Sequence, residues 1–401
     1  MRILFLLVAL GMMVWADDES TQAAAPTQTP QEAPKPEAPK QEAPKKAEPP
    51  APTPWSIGDF KFSGLIDGYY SHNFNNPASG FSTLRNFDVR SRSFALNMVE
   101  LSAFRDPDPI GFRLDLGFGR AWEIFHATDP GRPDIVRYFP QAYISIKPKT
   151  WGGFQFDFGK FYTSVGAELT ENNVTWNYGR GYLYTNGPYY HFGARMSKPL
   201  TKSFTAGFQL VNGWNNVEDN NSGKTMGFTT AWAGKKVTWL TNTYVGPEKN
   251  GTNKGWRNIY DTVLNLTPND KVSAYLNYYH GRENEANGKL PADWDAFGAS
   301  IRFQTSVHTA LAFRGEVYAD HDGFISGQTQ SLKSFTATYE YKWVQGLLTR
   351  IEYRRDMSDK PYFERGAQGS PLNIPGLPFT IGPWRNQSTL TIGFVAFFGP
   401  K

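Results

Sequence analysis

The stretch that decides the fold is GFRLDLGFG, residues 111–119. Large apolar side chains take every second position in it, namely Phe112, Leu114, Leu116 and Phe118. Arg113 and Asp115 fill positions between them. Because successive side chains of a β-strand point to opposite sides, this order predicts a strand with one apolar face and one charged face. Residues 154–159, FQFDFG, repeat the same alternation further along the chain.

Segments of this kind recur along the whole chain after Trp55. We count about sixteen, with about 14 or 18 as alternatives, from the alternating runs that turn residues separate. The predicted strands cover residues 61–70, 93–104, 111–119, 141–147, 153–162, 189–196, 203–211, 225–233, 236–245, 258–266, 271–280, 295–303, 309–319, 331–343, 347–355 and 387–398. The pattern in 93–104 is less regular than the others, which indicates a β-bulge there.

Long and short connections alternate along this series. Residues 71–92 and 120–137 are long polar connections, whereas RDPDPI and KPKTWG are short. One end of the sheet therefore carries large loops and the other carries tight turns, an arrangement typical of outer-membrane barrels. A soluble β-sandwich or propeller would also give many alternating strands, but it has no reason to alternate its loop lengths.

The sequence therefore predicts an all-β fold, a transmembrane antiparallel up-and-down β-barrel. In lipid every backbone polar group needs an internal partner, so strands can span a membrane only as a closed ring. The apolar face meets lipid chains outside, and the charged face meets water inside. Aromatic rings near the strand ends are expected in the headgroup layers. These rings are Tyr69, Tyr70, Trp151, Trp232, Trp239, Tyr278, Tyr279 and Phe397.

Two further segments precede the predicted barrel, which occupies residues 55–401. Residues 1–16 combine Arg2 with an apolar run and end on Ala16, which predicts a signal peptide. A membrane-anchoring helix is the alternative, but the run is short and acidic residues follow it. Residues 17–54 are rich in Pro, Ala, Lys and Glu, so we expect a disordered periplasmic linker. It would act as a plain spacer or as a tether to the cell wall.

Charge and residue usage exclude several classes of function. The 401 residues include 41 basic and 37 acidic ones, formally +4, and this near balance argues against nucleic-acid binding. There is no cysteine, so a disulfide framework and a thiolate zinc site are excluded. The six histidines show no HExxH spacing and no GxSxG motif occurs. The sequence therefore predicts no enzyme, metal or cofactor, and an outer-membrane hydrolase of the phospholipase kind is the catalytic alternative.

The polar face of the predicted barrel offers candidate pore residues. The third long loop, 166–188, is expected to fold into the lumen, as it generally does in sixteen-strand porins. It carries Glu168, Glu171 and Arg180. Lumen-facing positions of the later strands include Arg302, Arg314, Glu316, Glu340, Lys342, Arg350, Glu352 and Arg354. A basic wall facing an acidic loop would sort solutes by charge. Alternatively, these ions pair with one another and only hold the wall rigid.

Four tyrosines lie around the same loop: Tyr182, Tyr184, Tyr189 and Tyr190. They are candidates for a stacking track that guides sugars through the lumen. The alternative is a belt of rings at the outer membrane surface.

Several stretches resemble one known family. They are SGLIDGYYSHNFNNP (63–77), DPIGFRLDLGFG (108–119), GKFYTSVGAE (159–168), NGPYYHFGAR (186–195) and VNGWNN (211–216). In this order they resemble the putative β-barrel porin-2 family, the OmpL-like outer-membrane porins, over roughly residues 60–398. The resemblance implies a porin-like barrel in a Gram-negative outer membrane, with transport as its activity.

The predicted function is an outer-membrane porin whose water-filled channel passes small polar solutes or ions by passive diffusion. The alternative is a barrel-anchored envelope tether or adhesin without significant conductance. Expected partners are outer-membrane lipids, the barrel-assembly machinery through the C-terminal strand, the cell wall through the linker, and further copies of the chain as a homo-oligomer. Barrel proteins usually finish on an aromatic residue, whereas three residues follow Phe398 here, which displaces that assembly signal.

Overall fold

The computed structural model describes residues 55–129, 134–286, 290–367, 370–374 and 377–400. The predicted signal peptide and linker lie outside these residues. The strands are β1 (Ser56–Ile57), β2 (Phe60–Asn73), β3 (Ser93–Arg105), β4 (Ile110–Phe118), β5 (Ala142–Ile146), β6 (Gln155–Tyr162), β7 (Tyr190–Pro199), β8 (Phe204–Val211), β9 (Thr225–Ala233), β10 (Val237–Pro247), β11 (Trp256–Asn269), β12 (Val272–Ala286), β13 (Leu290–Gln304), β14 (Thr309–Asp320), β15 (Gln330–Val344), β16 (Leu347–Ser358), β17 (Ser370–Ile374), β18 (Leu377–Ile381) and β19 (Asn386–Phe398).

Sixteen of these strands, β2–β16 and β19, form one closed antiparallel barrel. Each strand pairs with the next along the chain, and β9 pairs with β10 in the middle of the series. The ring closes where β19 pairs with β2, in a register that runs from Thr389 opposite Asn73 to Phe398 opposite Gly64. Strands β17 and β18 form a separate hairpin. The predicted barrel and its strand number are therefore confirmed.

The alternation in β4 separates lipid-facing from lumen-facing side chains as predicted. Ile110, Leu114 and Phe118 expose 57%, 37% and 47% of their surface on the outside. Asp115, on the opposite face of the same strand, is completely buried inside the ring. An exposed leucine is stable here because its surroundings are hydrocarbon, where apolar area has no reason to be hidden.

The irregular segment at the start of β3 contains the expected bulge. Asp67 lies opposite Met98, whereas its neighbour Gly68 lies opposite Leu96. Asn97 is therefore the additional residue, and its buried side-chain amide donates a hydrogen bond of 2.7 Å to Asp67. Two residues opposing one is the arrangement that defines a β-bulge.

The predicted aromatic belt is correct for the tryptophans and wrong for two tyrosines. Trp151, Trp232 and Trp239 are 42%, 42% and 50% exposed. Tyr69 and Tyr279 are buried inside the barrel instead, at 3% and 0% exposure. Both follow a lumen-facing polar residue by two positions, so the alternation directs their rings inward.

Among the described residues, helical structure lies in the connections between strands. The helices are α1 (Arg120–Phe125), α2 (Tyr182–Thr185) and two 3-10 segments, Asp134–Tyr138 and Lys149–Trp151. Within the described residues, no helix is long and apolar enough to cross a membrane. Helix α1 lies in the loop between β4 and β5 and places Trp122 and Phe125 in a buried cluster. That cluster also contains Phe87 from the first long loop and Tyr178 from the third.

Candidate functional site

The loop that joins β6 to β7, residues 163–189, crosses the inside of the barrel; we call it the inserted loop. On one side its backbone N–H groups at Gly166 and Ala167 donate to Asp261 of β11 and Asn277 of β12, at 3.0 and 3.1 Å. On the other side the Tyr178 hydroxyl donates to Asp67 of β2 at 2.8 Å. The loop therefore reaches opposite walls of the lumen, as the sequence predicts.

Arginines of the wall hold the backbone carbonyls of the inserted loop. Arg350 of β16 donates to the carbonyl oxygens of Asn172 and Thr175, at 2.6 and 2.5 Å. Arg354 lies four residues further along β16 on the same face, and it donates to the carbonyl of Arg180 at 2.6 Å. Both guanidinium groups are buried. Buried arginines that donate to fixed acceptors are strong anchors, because leaving either side unpaired is costly.

Carboxylates of the same wall hold the loop's N–H groups. Glu352 accepts hydrogen bonds from the backbone N–H of Tyr178 at 2.6 Å and of Gly179 at 2.9 Å. It also accepts one from the hydroxyl of Thr338 at 2.7 Å. Charge-assisted bonds of this kind are about twice as strong as neutral ones. The predicted residues Arg350, Glu352 and Arg354 are thus brought together, and their shared partner is the loop backbone.

Glu168 meets the wall directly. Its carboxylate forms an ion pair with Arg314 of β14, and Arg314 also lies 3.3 Å from Glu316. The acidic loop and the basic wall therefore meet at this point in an ion pair, and a role of these charges in sorting solutes stays a prediction. Arg302 lies beside these groups on β13 and pairs with Glu340 at 2.9 Å, which Arg350 also contacts at 2.7 Å.

Two other predicted residues of the inserted loop, Arg180 and Glu171, do not pair with the arginines of the wall in the described part of the chain. Arg180 turns back onto its own loop and donates to the carbonyls of Leu169, Thr170 and Tyr178, at 2.8, 2.5 and 2.7 Å. It therefore stabilises the loop conformation and does not face the wall across open space. Glu171 borders a cavity lined by residues of β2, β3, β4, β6 and β19, and within the described residues it forms no ion pair with the arginines of β14 and β16.

The four tyrosines pack among protein groups. The hydroxyl of Tyr182 donates to Asp356 at 2.9 Å, and that of Tyr190 donates to Asp129 at 2.8 Å. The rings of Tyr184 and Tyr189 stack on each other with centroids 5.4 Å apart. Only these two border cavities in the described lumen, so a solute track along all four rings remains a prediction.

Sequence reasoning missed the contribution of the first long loop, between β2 and β3. Arg85 in this loop is buried and lies 3.1 Å from Asp88 and 3.2 Å from Asp356 of β16. Asp356 also pairs with Arg354 at 2.7 Å, so the two loops share one ionic network. The signal that was available is the charge pair in LRNFD, residues 84–88, within an otherwise polar loop.

A glycine of the wall makes room for the inserted loop. Gly393 of β19 lies under the ring of Tyr178, and a Cβ atom at this position would stand 2.2 Å from the ring carbon Cδ2. No side chain can occupy that space without moving the tyrosine. The close approach lets Tyr178 reach Asp67 on the next strand.

Four of the cavities that the described residues enclose lie around the inserted loop. The first chamber, of about 220 Å³, lies towards the short-turn end and is bordered by Leu65, Glu100, Arg113, Tyr162 and Glu171. The second chamber, of about 190 Å³, is bordered by Glu168, Trp176, Asn265 and Tyr275. Leu169 and Val174 line both, so the inserted loop divides this half of the lumen.

A small cavity, which we call the throat, lies beside the second chamber and shares Ala167, Glu168 and Tyr275 with its lining. It holds about 10 Å³ and is bordered by Glu168, Leu183, Tyr275, Asn277 and Glu316. The fourth space, the loop-end cavity of about 300 Å³, is bordered by Thr185 and Tyr189, by Trp214 and Glu248 of the long loops, and by Arg257 of β11. Helix α2 contributes Leu183 to the throat and Thr185 to the loop-end cavity, so it lies between the two.

Glu248 clamps a long loop at the loop-end cavity. Its carboxylate accepts the backbone N–H of Trp214 at 2.8 Å and the hydroxyl of Thr225 at 2.6 Å. Burial disfavours the charged form and raises the pKa of Glu248 to about 7, although the nearby Arg257 acts in the opposite direction.

The raised pKa of Glu248 predicts that the stability of the loop around Trp214 depends on pH. A carboxyl whose folded pKa lies above its unfolded value stabilises the fold at low pH and loses that contribution as the pH rises towards 7. We expect the closed loop to lose about 3 kcal/mol of stability relative to an opened loop between pH 4.5 and 7, because an opened loop exposes the carboxyl and lets it ionise. Hydrogen-exchange protection of the Trp214 amide, corrected for the intrinsic rate, should fall over this range. In Glu248→Gln the protection should not depend on pH, and the same fall with pH as in the wild type would contradict the assignment.

The family comparison agrees with this architecture. Residues 59–398 match the model of the family described as putative beta-barrel porin-2, OmpL-like. The chain belongs to this family. The match extends over the whole barrel, from just before β2 to the last residue of β19. The protein is therefore an outer-membrane β-barrel of the porin type, with membrane lipid as its surroundings and a channel role as its function.

Solved structures share the fold at low sequence identity. OmpT of Vibrio cholerae, in its trimer form, gives a TM-score of 0.55 at 13% identity, covering 84% of this chain and 99% of that one. The anion-selective porin of Comamonas acidovorans gives 0.54 at 10% identity, covering 84% and 99%. OmpF of Salmonella typhi, solved with daunomycin, gives 0.55 at 12% identity, covering 86% and 99%. A sequence search of curated proteins finds no match.

Proposed function

We propose that this porin is a narrow channel with a preference for small cationic and polar solutes. The observation that carries the proposal is that the basic and the acidic side chains of the lumen have different surroundings. Buried arginines are occupied by loop carbonyls and carboxylates, as described for Arg350 and Arg354. Carboxylates border all four of the cavities described above. Among the described residues, the two arginines that also border these cavities, Arg113 and Arg257, pair with Asp115 and Glu283.

The throat is the cavity at which this excess of acidic groups is clearest. Among the described residues that border it, Glu168 and Glu316 carry charge, and both are acidic. Arg314 lies between them and pairs with both, so three charged groups leave one net negative charge. In a narrow space with low-dielectric walls, one net charge is enough to favour counter-ions over co-ions.

Passage through such a space needs no catalytic group, so we infer transport and not catalysis. The periplasmic linker, contact with the cell wall, recognition of β19 by the barrel-assembly machinery and a homo-oligomeric state are further parts of this proposal. The trimer form of OmpT supports the last of these by analogy of fold.

Charge removal at the throat tests the proposal. In planar bilayers under a salt gradient, the wild-type protein should show a reversal potential of the sign expected for a cation-preferring channel. The double variant Glu168→Gln/Glu316→Gln leaves Arg314 without its acidic partners, so the reversal potential should move to zero or change sign. The single variant Glu316→Gln, which keeps the ion pair with Glu168, should give a smaller shift in the same direction.

Glu123→Gln serves as the control, because Glu123 lies on α1 with a 56% exposed side chain and pairs only with Arg120 in the described residues. It should leave the reversal potential unchanged. A wild-type channel that prefers anions, or a barrel without current at any voltage, would overturn the proposal.

A further inference from the structure

The first chamber has the composition of a binding site for a cation. Glu100 and Glu171 border it, and Arg113 is the one cation among the described residues that do so. Arg113 is already occupied, since its Nε donates to both carboxylate oxygens of Asp115 at 3.0 and 2.9 Å. Gln141 donates to the same carboxylate at 2.8 Å. Two acidic groups therefore face the chamber without a basic partner of their own.

Glu100 provides independent evidence for a ligand. Its side chain is on the lumen face of β3 and the residue is only 4% exposed. One carboxylate oxygen, Oε1, accepts the hydroxyl of Ser102 at 3.2 Å, whereas Oε2 has no hydrogen-bond partner among the described residues. Glu171 and Asp115 both repel its charge, whereas Arg113 attracts it. A buried acceptor left open is costly, and a bound donor would remove that cost.

The other walls of the chamber indicate what kind of cation fits. Leu65, Leu169 and Val174 add apolar surface beside the carboxylates. In the part of the chain that the structure describes, no group of three His, Cys, Asp or Glu residues is arranged to hold a metal ion. A volume of about 220 Å³ exceeds what a bare ion needs and accepts several non-hydrogen atoms.

We propose that the first chamber binds small organic ammonium ions, with the charged nitrogen at Glu100 and Glu171 and the carbon chain against Leu65, Leu169 and Val174. The inference rests on the proposed channel function and names a solute class for it. An ammonium group supplies the donors that Glu100 Oε2 lacks. The chamber opens towards the short-turn end, so the site lies on one side of the inserted loop and the throat on the other.

Binding can be tested without any measurement of current. Butylammonium chloride is titrated into the full-length protein folded in detergent micelles, and saturation-transfer NMR follows its signals. Wild type should bind butylammonium and should not bind butanol or butyrate, which have the same carbon chain without the positive charge. The variant Glu100→Gln/Glu171→Gln should weaken binding about ten-fold or more, because it removes two charge-assisted hydrogen bonds.

Two further variants test whether binding depends on the shape of the chamber and whether it depends on these two carboxylates in particular. Leu169→Trp fills the chamber without a change of charge and should also abolish binding. Asp106→Asn removes a carboxylate near the same end, 72% exposed and paired with Lys61, and should leave binding unchanged. Far-UV circular dichroism confirms that each variant retains the barrel.

The outcomes distinguish this inference from the channel function. Binding that persists unchanged in Glu100→Gln/Glu171→Gln, or equal binding of butanol, would overturn the ammonium site and leave the porin assignment intact. Butylammonium binding in a protein that passes no current would support the site and overturn the proposed channel.

Discussion

Replacing Arg350 with alanine should release the inserted loop from the wall and raise single-channel conductance. The change removes hydrogen bonds to the carbonyls of Asn172 and Thr175 and the ion pair with Glu340. Loss of one partner from a buried ionic network costs about 3–5 kcal/mol. That is enough to shift the ratio of docked to released loop by about a hundred-fold or more.

Bilayer recordings and protease digestion measure the two consequences. The open-channel current should increase, and the loop should become a preferred cleavage site in otherwise intact barrels. Arg355→Ala is the matched control, since Arg355 lies on the same strand, points outward and only approaches Ser388 at 3.5 Å. If Arg350→Ala and Arg355→Ala give the same current and the same digestion pattern, Arg350 does not anchor the loop.

Replacing Leu114 with arginine should destabilise the whole barrel. Leu114 is central in β4 and faces lipid, with 37% of its surface exposed. An arginine on the lipid face near the bilayer midplane costs about 2–4 kcal/mol in transmembrane barrels. The free energy of unfolding, measured by urea titration in lipid vesicles, should fall by this amount.

Ile110→Arg provides the control for depth. Ile110 is the first residue of the same strand, has the same outward direction and is 57% exposed. Near the interface the cost of an arginine falls to about 0–1 kcal/mol. Equal losses in the two variants would contradict a hydrocarbon environment that is deepest at Leu114.

The wall of this barrel could be predicted because one physical demand acts on every strand. Lipid outside and water inside impose a period of two, so Leu114 and Asp115 take opposite faces wherever the strand begins. The limits of strands are less well determined. The prediction begins β13 at residue 295, whereas the strand starts at Leu290, and buried Ala292 and Trp294 continue its inward face.

The contents of the lumen could be predicted only in part. Loop segments lack a period, so nothing in their order states which wall they reach. Glu168 was expected near basic groups and does contact Arg314. Arg180 was expected to face the pore, yet it binds carbonyls of its own loop. Arg85 and Asp356 are separated by most of the chain, and their contact depends on the closure of the ring.

Many of the hydrogen bonds that secure the inserted loop end on its main chain. Arg350, Glu352 and Arg354 recognise carbonyl and amide groups, which every residue except proline carries. Side chains along residues 169–177 that make no contact with the wall can therefore change, and with them the solutes that the channel admits, while these main-chain bonds keep the loop in place.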